Sequence, residues 1–277
     1  MLARRIAAGI LVGGFAVMLA LNAPGQLSTD SILQLAGGRA GFYNSWHPPV
    51  MSWLLGLFDA VVPGTLLFLI FQSGLLLAAL LTLLLLRPRG WMSVALAAAI
   101  VLTPQWLLYQ GEIWKDMLFA DAAIAGFAAL AAYADRPRMA WLVLAALLLA
   151  LAASARQNGV VLLPVAALTA ALVAPHRPWR HGLGFLAATL GLTVAIALAL
   201  APRGDHGEGA AAQVRLGQSY DLAGALARQS GLALPSLAHE DPILEKLLRT
   251  RGAALYSPLR NDPFAADPRI SAALSDA

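Results

Sequence analysis

The sequence predicts an all-α membrane protein with about seven transmembrane helices, interfacial helices on the outer face and a polar C-terminal outer segment. Of its 277 residues, 59% are hydrophobic and only 12% are charged, whereas about a quarter of the residues in soluble domains are charged. Mean hydropathy is +0.70. Apolar runs follow one another as far as residue 201, and several approach the roughly 20 residues that a spanning helix needs. A water-exposed globular protein is therefore excluded.

The charged residues divide the chain into two parts. Residues 1–201 contain 11 basic residues (Lys or Arg) and 6 acidic ones (Asp or Glu). The much shorter segment 202–277 contains 8 basic and 9 acidic residues. We therefore expect a transmembrane domain over 1–201 and an extracytoplasmic polar segment over 202–277. The polar segment combines helix-like stretches at 222–229 and 243–250 with turns at prolines: Pro235, Pro242, Pro258, Pro263 and Pro268.

Seven apolar runs are predicted to cross the membrane: 6–23, 64–86, 91–108, 116–134, 139–154, 158–174 and 182–201. The run 50–62 has 13 residues and includes Asp59, so we expect it to lie along the membrane interface. The first span is expected to be an uncleaved anchor. Pro24 follows only a weak signal-peptidase site at Leu21-Asn22-Ala23, and further spans come after it.

Basic residues predict the orientation of these spans. If the N-terminus is cytoplasmic, eight of the eleven basic residues before the polar segment lie on the inside: Arg4, Arg5, Arg87, Arg89, Arg136, Arg138, Arg177 and Arg180. This is the distribution that the positive-inside rule describes. It predicts a multi-pass protein of a bacterial-type inner membrane, with the lipid bilayer as a partner. The pI near 9.8 is then explained by topogenic loops, and nucleic acid is discounted as a partner.

Three basic residues do not follow this rule and map to the outer face: Arg39, Lys115 and Arg156. Four further ionisable side chains map there too: Asp30, His47, Glu112 and Asp116. Charges at a membrane boundary are unfavourable unless they are paired or functional. The sequence therefore places the candidate site on the outer face. The chain contains no cysteine, which excludes a thiolate metal site or a cysteine nucleophile there.

The first outer segment contributes Asp30 and His47. Asp30 precedes a predicted short amphipathic helix, 31–36, which Gly37 and Gly38 would end. Its carboxylate either caps that helix or is held rigidly for catalysis. His47 precedes two prolines, which impose an extended approach to the interfacial run. It is either a loop histidine at the boundary between water and lipid or a functional group.

The second outer segment contributes Glu112, Lys115 and Asp116. Lys115 and Asp116 begin a span, and as helix neighbours they point about 100° apart, so they do not form a salt bridge with each other. Glu112 and Asp116 share a helix face only if the helix begins before Glu112. Asp116 either stabilises the helix end or belongs to the site.

Two more ionisable residues complete this set. Asp121 lies one turn deeper in the same span, where a buried partner or a position facing the bundle is expected. Arg156 lies in a tight turn, 154–159, between two spans. It either extends to the outer headgroups or uses its planar guanidinium to bind a phosphate.

The order of these features along residues 1–201 resembles the GT-C polytopic membrane glycosyltransferases. The similarity is to the superfamily of protein O-mannosyltransferases and lipid A aminoarabinose transferases, which includes glycosyltransferase family 39, and it covers the N-terminal membrane part. The family's early acidic residue matches Asp30, its His-Pro-Pro turn matches 47–49, its later outer aspartate matches Asp116 and its outer basic residue matches Arg156. The family's usual acidic pair is here Asp30-Ser31, which argues against a metal held by two adjacent carboxylates.

This resemblance implies an integral membrane glycosyltransferase that uses a polyprenyl-phosphate-linked sugar on the outer face. The acceptor would be a cell-envelope glycan, lipid or protein. Asp30 and Asp116 would be catalytic; Lys115, Arg156 and His47 would bind the donor phosphate, with Arg39 and Glu112 as additional candidates. No cofactor is implied, although a divalent cation is compatible with these residues.

Two other classes of function remain open from the sequence. A transporter or lipid-translocating protein would carry ionisable groups near the bilayer midplane and internally repeated halves. A non-catalytic envelope assembly subunit would need no site at all. The boundary position of the charges and the lack of an internal repeat favour the transferase.

Overall fold

A computed structural model describes residues 1–43, 46–86, 90–174, 176–201 and 208–275. Over these residues the chain is helical and contains no strand, as predicted. Its contacts divide it into two compact units, Met1–Tyr43 with His47–Arg203, and Asn44–Trp46 with Gly204–Ala277. Arg87 and Arg89, two of the predicted inside arginines, lie outside the described residues.

The first unit contains ten helices within the described residues: α1 (Leu2–Asn22), α2 (Thr29–Ala40), α3 (Pro49–Val61), α4 (Leu66–Leu86), α5 (Trp91–Leu102), α6 (Pro104–Tyr109), α7 (Lys115–Asp135), α8 (Met139–Ala155), α9 (Leu162–Val173) and α10 (Pro178–Ala199). A single 3-10 turn, Gly159–Val161, precedes α9.

Four of these helices, α1, α4, α7 and α10, are long and apolar enough to cross a membrane. They correspond to four of the predicted spans and indicate a membrane protein. The helices at the other three predicted spans are shorter. α8 has 17 residues and reaches about 25 Å, slightly less than the roughly 30 Å thickness of a hydrocarbon core. Seven crossings therefore remain a prediction.

The predicted span 91–108 is not one helix. α5 ends at Leu102, Thr103 is extended, and α6 begins with Pro104 at its first position. Proline lacks an N–H and disfavours helical geometry at the preceding residue, which explains the break. α5 alone has 12 residues and reaches only about 18 Å.

α7 is the central helix of the first unit. It packs closely against α8 on one side and α4 on the other, and 61% of its apolar window is buried. Small side chains line these contacts, including Ala122 and Ala152. A Cβ at Gly126 would approach Leu149 Cγ to 2.6 Å, so this glycine permits the close approach of α8. Small residues at helix interfaces are typical of packing in membranes.

Gly37 and Gly38 do not end the helix after Asp30, contrary to the prediction. α2 continues to Ala40 and is capped by Gly41 in the left-handed conformation, with φ 63°. A Cβ at Gly38 would lie 2.2 Å from the Ser52 carbonyl oxygen, and one at Gly56 would lie 2.4 Å from the Gly38 carbonyl oxygen. These glycines therefore let α2 and α3 pack backbone to backbone.

The predicted interfacial segment 50–62 corresponds to α3, whose buried face includes Val50, Met51, Leu54 and Leu55. Trp53 and Leu57 remain exposed on the opposite side. α3 is therefore amphipathic and packs on the bundle through one face, which agrees with a helix lying along an interface.

The second unit contains α11 (Glu208–Arg228), α12 (Pro235–Glu240), α13 (Pro242–Leu247), a π-helical turn (Leu248–Gly252), α14 (Ala253–Leu255), α15 (Asp262–Ala265) and α16 (Pro268–Ser275). Pro235, Pro242 and Pro268 begin helices, where a missing N–H is tolerated. Phe264 and Leu248 are fully buried in its core. Arg251 contacts Asp267, whose carboxylate also accepts backbone N–H bonds from Arg269 and Ile270.

Candidate functional site

The turn between α6 and α7 is held by hydrogen bonds from three other parts of the first unit. The backbone of Gln26 makes two hydrogen bonds to this turn. Its N–H donates to the Gly111 oxygen at 2.8 Å, and its carbonyl oxygen accepts from the Ile113 N–H at 2.9 Å. The hydroxyl of Ser31 on α2 donates to the Ile113 oxygen. Gln72 Nε2 on α4 donates to the Glu112 oxygen at 2.9 Å. These bonds fix the backbone that leads into the first turn of α7.

A buried pair joins this turn to the interior of α7. Gln110 and Asp121 are 3% and 1% exposed, and Gln110 Nε2 donates to Asp121 Oδ1 at 2.9 Å. The expected buried partner of Asp121 is therefore Gln110. Replacing either side chain would leave a buried polar group unpaired, which typically destabilises by about 1–3 kcal/mol.

His47 lies between Asp30 and Lys115. Its Nδ1 is 3.1 Å from Lys115 Nζ, and its Nε2 is 3.6 Å from Asp30 Oδ2. The side chain is only 8% exposed, whereas that of Asp30 is 58% exposed. His47 is thus buried within the protein, beside the exposed carboxylate of Asp30.

The protonation of His47 follows from these neighbours. An ammonium group only donates hydrogen bonds, so Nδ1 must accept from Lys115, and a neutral ring then carries its proton on Nε2, toward Asp30. Burial lowers the pKa of His47 below its ordinary value, Lys115 lowers it further, and Asp30 opposes both effects. The ring is therefore neutral at neutral pH and links the two charged groups without adding a charge.

Arg156 forms an ion pair with Asp116. Arg156 Nη1 lies 2.7 Å from Asp116 Oδ1, and both side chains are about 40% exposed. Asp116 is in the first turn of α7, and Arg156 is the residue at which α8 ends. The close packing of α7 against α8 brings these two positions together.

These residues form one group, called here the charged cluster: Asp30, His47, Lys115, Asp116 and Arg156. Its two contact chains meet at the adjacent residues Lys115 and Asp116, which have different partners. The structure thus brings together five side chains that come from three separate predicted outer segments.

Asp30 is not the cap of its helix. α2 begins at Thr29, and the Ser28 hydroxyl accepts the N–H of Ser31 at 3.3 Å. Asp30 occupies the first turn, where the positive end of the helix dipole favours a carboxylate. Because Ser28 satisfies the helix end, the Asp30 carboxylate is directed to His47.

Arg39 and Glu112, the additional candidates, do not share the contacts of the charged cluster. Arg39 binds Asp59 through two hydrogen bonds, of 2.9 Å from Nε and 2.6 Å from Nη2. These bonds, with a third from the Gly64 N–H, lower the pKa of Asp59 to about 2. Glu112 precedes α7 rather than belonging to it, so Glu112 and Asp116 do not share a helix face.

Metal binding gains no support from this geometry. Over the described ranges, no three His, Asp or Glu side chains come together in a way that could hold a metal ion. Within the charged cluster, each acidic side chain lies beside a histidine or an arginine.

Sequence reasoning missed the side chains that support the charged cluster. Ser31, Gln72 and Gln110 carry no charge, whereas the sequence signal for this site was charge at the ends of apolar runs. A signal was present for Gln72, a carboxamide in the middle of the apolar run 66–86 that is 0% exposed. Such a residue needs a hydrogen-bonding partner in an apolar environment, here the backbone of the α6–α7 turn.

Comparison with known proteins does not extend this description: no family model matches the chain, and neither the curated proteins nor the solved structures contain a match.

Proposed function

We propose that the protein is an integral membrane glycosyltransferase. It transfers a sugar from a polyprenyl-phosphate donor to a cell-envelope glycan, lipid or protein on the outer face of the membrane. The observation that supports this proposal most directly is the charged cluster, in which two carboxylates, two basic side chains and a buried histidine lie at the ends of apolar helices.

The reaction is a single displacement with inversion at the anomeric carbon. A carboxylate takes the proton of the acceptor hydroxyl, the acceptor oxygen bonds to the anomeric carbon, and the bond from that carbon to the phosphate oxygen breaks. Polyprenyl phosphate leaves with the bonding electron pair. One base and a stabilised phosphate suffice, and no covalent glycosyl-enzyme is formed.

Asp30 is the proposed base. Its carboxylate is more than half exposed, so an acceptor can reach it, and among the described residues it lies beside His47 rather than beside an arginine or a lysine. Asp116 is the rival, but its Oδ1 lies 2.7 Å from Arg156 Nη1, so that carboxylate is already engaged in an ion pair.

Lys115 and Arg156 are the proposed ligands of the donor phosphate. The ammonium of Lys115 has three donors, one of which is directed to His47. The guanidinium of Arg156 has five donors, and its contact with Asp116 leaves others for a phosphate. His47 belongs to the proposed phosphate site through its contact with Lys115. Its ring holds the Lys115 ammonium in place beside the phosphate.

Sugar transfer can be tested with the purified full chain, reconstituted in vesicles with a radiolabelled polyprenyl-phosphate sugar and a membrane extract as acceptor. We expect label to move from the donor to acceptor material, and far less with the Asp30→Asn variant. Equal transfer by vesicles without protein, or no transfer with any of a panel of sugars, would contradict the proposal.

A transporter of charged or lipid substrates is the second candidate. It is favoured by Asp121, a carboxylate that is 1% exposed inside a helix long enough to cross the membrane. The two functions differ in product. A transferase changes the covalent structure of the donor, whereas a transporter moves the labelled donor across the vesicle membrane unchanged.

A further inference from the structure

A groove runs between the first halves of α8 and α10, at the other end of α8 from Arg156. It encloses about 370 Å3. The residues that line it include Met139, Val143, Arg180, His181, Gly184 and Ala188. The first residues of α8 and of α10 border the same groove, so the two helices run parallel with their N-termini side by side.

The apolar part of the groove opens to the exterior of the bundle. Met139 is 66% exposed and Val143 is 52% exposed, and no side chain contacts the space above Gly184, where an added Cβ would have nothing within 4 Å. In a membrane this surface faces lipid chains. The groove is therefore open to an acyl chain from the side.

The mouth of the groove is basic. Arg180 and His181 line it, and no acidic residue does. Two helix N-termini lie beside it, and their exposed N–H groups and dipoles favour an anion. His181 Nδ1 is shielded from solvent and has no hydrogen-bonding partner among the described residues. His181 as a whole is only partly buried, so a lipid oxygen that enters the groove can serve as the partner of this atom.

We infer that this groove binds an anionic phospholipid, with the phosphate headgroup at Arg180 and His181 and one acyl chain between α8 and α10. Basic pockets between membrane helices recognise anionic headgroups in this way. Along α8 the start of the groove lies about 24 Å from the charged cluster, because a helix rises by that length over sixteen residues. The inferred lipid site does not depend on the proposed transferase activity.

A second groove provides an internal comparison. It lies among α1, α4 and α5, and its lining is apolar except for Ser93. It offers about 240 Å3 for an acyl chain, and none of its described lining residues is a cation. Among the described residues, selectivity for an anionic lipid is therefore expected at the α8–α10 groove.

The experiment is lipid retention by the full chain. The protein is reconstituted in nanodiscs of phosphatidylcholine with one-fifth phosphatidylglycerol, extracted with a mild detergent, and its retained lipids are measured by mass spectrometry. We expect phosphatidylglycerol to be enriched over phosphatidylcholine. Arg180→Gln should reduce that enrichment by about fivefold, since a basic residue near an anionic lipid contributes about a factor of five in affinity.

Two matched pairs of variants separate a built site from general surface charge. Gly184→Leu fills the groove without changing charge, whereas Gly191→Leu adds the same side chain elsewhere on α10, where space is also open. Arg180→Gln and Arg4→Gln each remove one exposed arginine, the second from α1. Enrichment should fall in Gly184→Leu and Arg180→Gln and persist in Gly191→Leu and Arg4→Gln.

Four results would overturn the inference. Enrichment could be absent in the parent protein, or it could survive in both groove variants. It could also fall equally in Arg180→Gln and Arg4→Gln while Gly184→Leu has no effect, which would indicate diffuse surface charge. Displacement of phosphatidylglycerol by equimolar polyprenyl phosphate would assign the groove to a different lipid and overturn the stated occupant.

Discussion

At the scale of single residues, pairing distinguishes the ionisable groups from one another. Arg39 binds Asp59 and Arg156 binds Asp116, whereas Asp30 lies beside the His47 ring within the described part of the chain. Asp30 is also the more exposed carboxylate, at 58% against 43% for Asp116. This difference leads to three predictions about individual side chains.

Replacing Asp30 with Asn should lower turnover by about 100- to 10,000-fold, because that is the usual contribution of a positioned base. Donor binding should be retained, since the phosphate contacts are made by other residues. Turnover and donor affinity are measured separately in Asp30→Asn and in Asp116→Asn. A near-normal rate in the first variant with a collapse only in the second would move the base to Asp116.

Arg156→Lys should weaken donor binding while preserving the charge, because lysine lacks the planar fork that binds two phosphate oxygens. Arg156→Ala should weaken binding further. The measurement is the Kd for polyprenyl phosphate in detergent, with Arg138→Lys, at the other end of α8, as the matched control. Parent-like binding by both Arg156→Ala and Lys115→Ala would remove these residues from the phosphate site.

The Arg39–Asp59 pair should make stability depend on pH in the acid range. The pKa of Asp59 is about 2 in the folded chain and close to 3.9 in an unfolded one. Its contribution is therefore fully present above about pH 4 and is lost as the pH falls toward 2. The Tm of the parent protein should exceed that of Asp59→Asn at pH 6, and the difference should shrink between pH 4 and 2.5. A constant difference would show that the pair does not titrate in this range.

At the scale of helices, glycine decides how closely α2 and α3 approach. The contact joins Gly38 to Gly56 and Ser52 through backbone atoms, which cannot rotate away as a side chain could. α2 carries Asp30 and α3 follows His47, so their separation sets how these two side chains meet. Packing between two helices thus becomes part of the candidate site's geometry.

Gly38→Ala should therefore push α2 from α3, destabilise the protein by about 1–3 kcal/mol as overpacking does, and reduce turnover. Gly74→Ala is the matched control, because Gly74 on α4 has nothing within 4 Å of an added Cβ. That control should retain activity and be as stable as the parent or slightly more stable. Equal stability of the two variants would show that the α2–α3 contact is not tight.

At the scale of the whole molecule, the candidate site and the lipid groove lie at opposite ends of α8. The charged cluster includes the residue that ends this helix, and the groove begins at its first residue. If α8 crosses the membrane, the two sites face opposite leaflets. The orientation from the positive-inside rule assigns the cluster to the outer leaflet and the groove to the cytoplasmic one.

This orientation can be tested by cysteine labelling, since the chain has no native cysteine. A cysteine at Gly41 would disturb the left-handed cap of α2. The neighbouring residue Phe42 is exposed and is therefore a better position for the introduced cysteine. An impermeant reagent applied to intact cells should label Phe42→Cys and Ser230→Cys, whereas Met139→Cys should react only after lysis. Labelling of Met139→Cys alone in intact cells would invert the orientation.

The sequence alone determined the helical class, the apolar runs and the places where charge interrupts them. These follow from composition and local hydrophobicity, which neighbours along the chain suffice to reveal. It also determined which ionisable residues belong to the predicted outer segments. All five members of the charged cluster were among them, because charge at the end of an apolar run is visible without a fold.

Only the tertiary structure decided which of these residues meet. Asp30 and Lys115 are separated by 85 positions, and both contact His47 because α2, α3 and α7 converge there. Arg39 has the same charge as Arg156, yet it binds Asp59 and stays out of the cluster. The role of Gly38 in the contact between α2 and α3 was likewise decided by packing. The physical reason is that pairing depends on distance in space, which the order of residues along the chain does not contain.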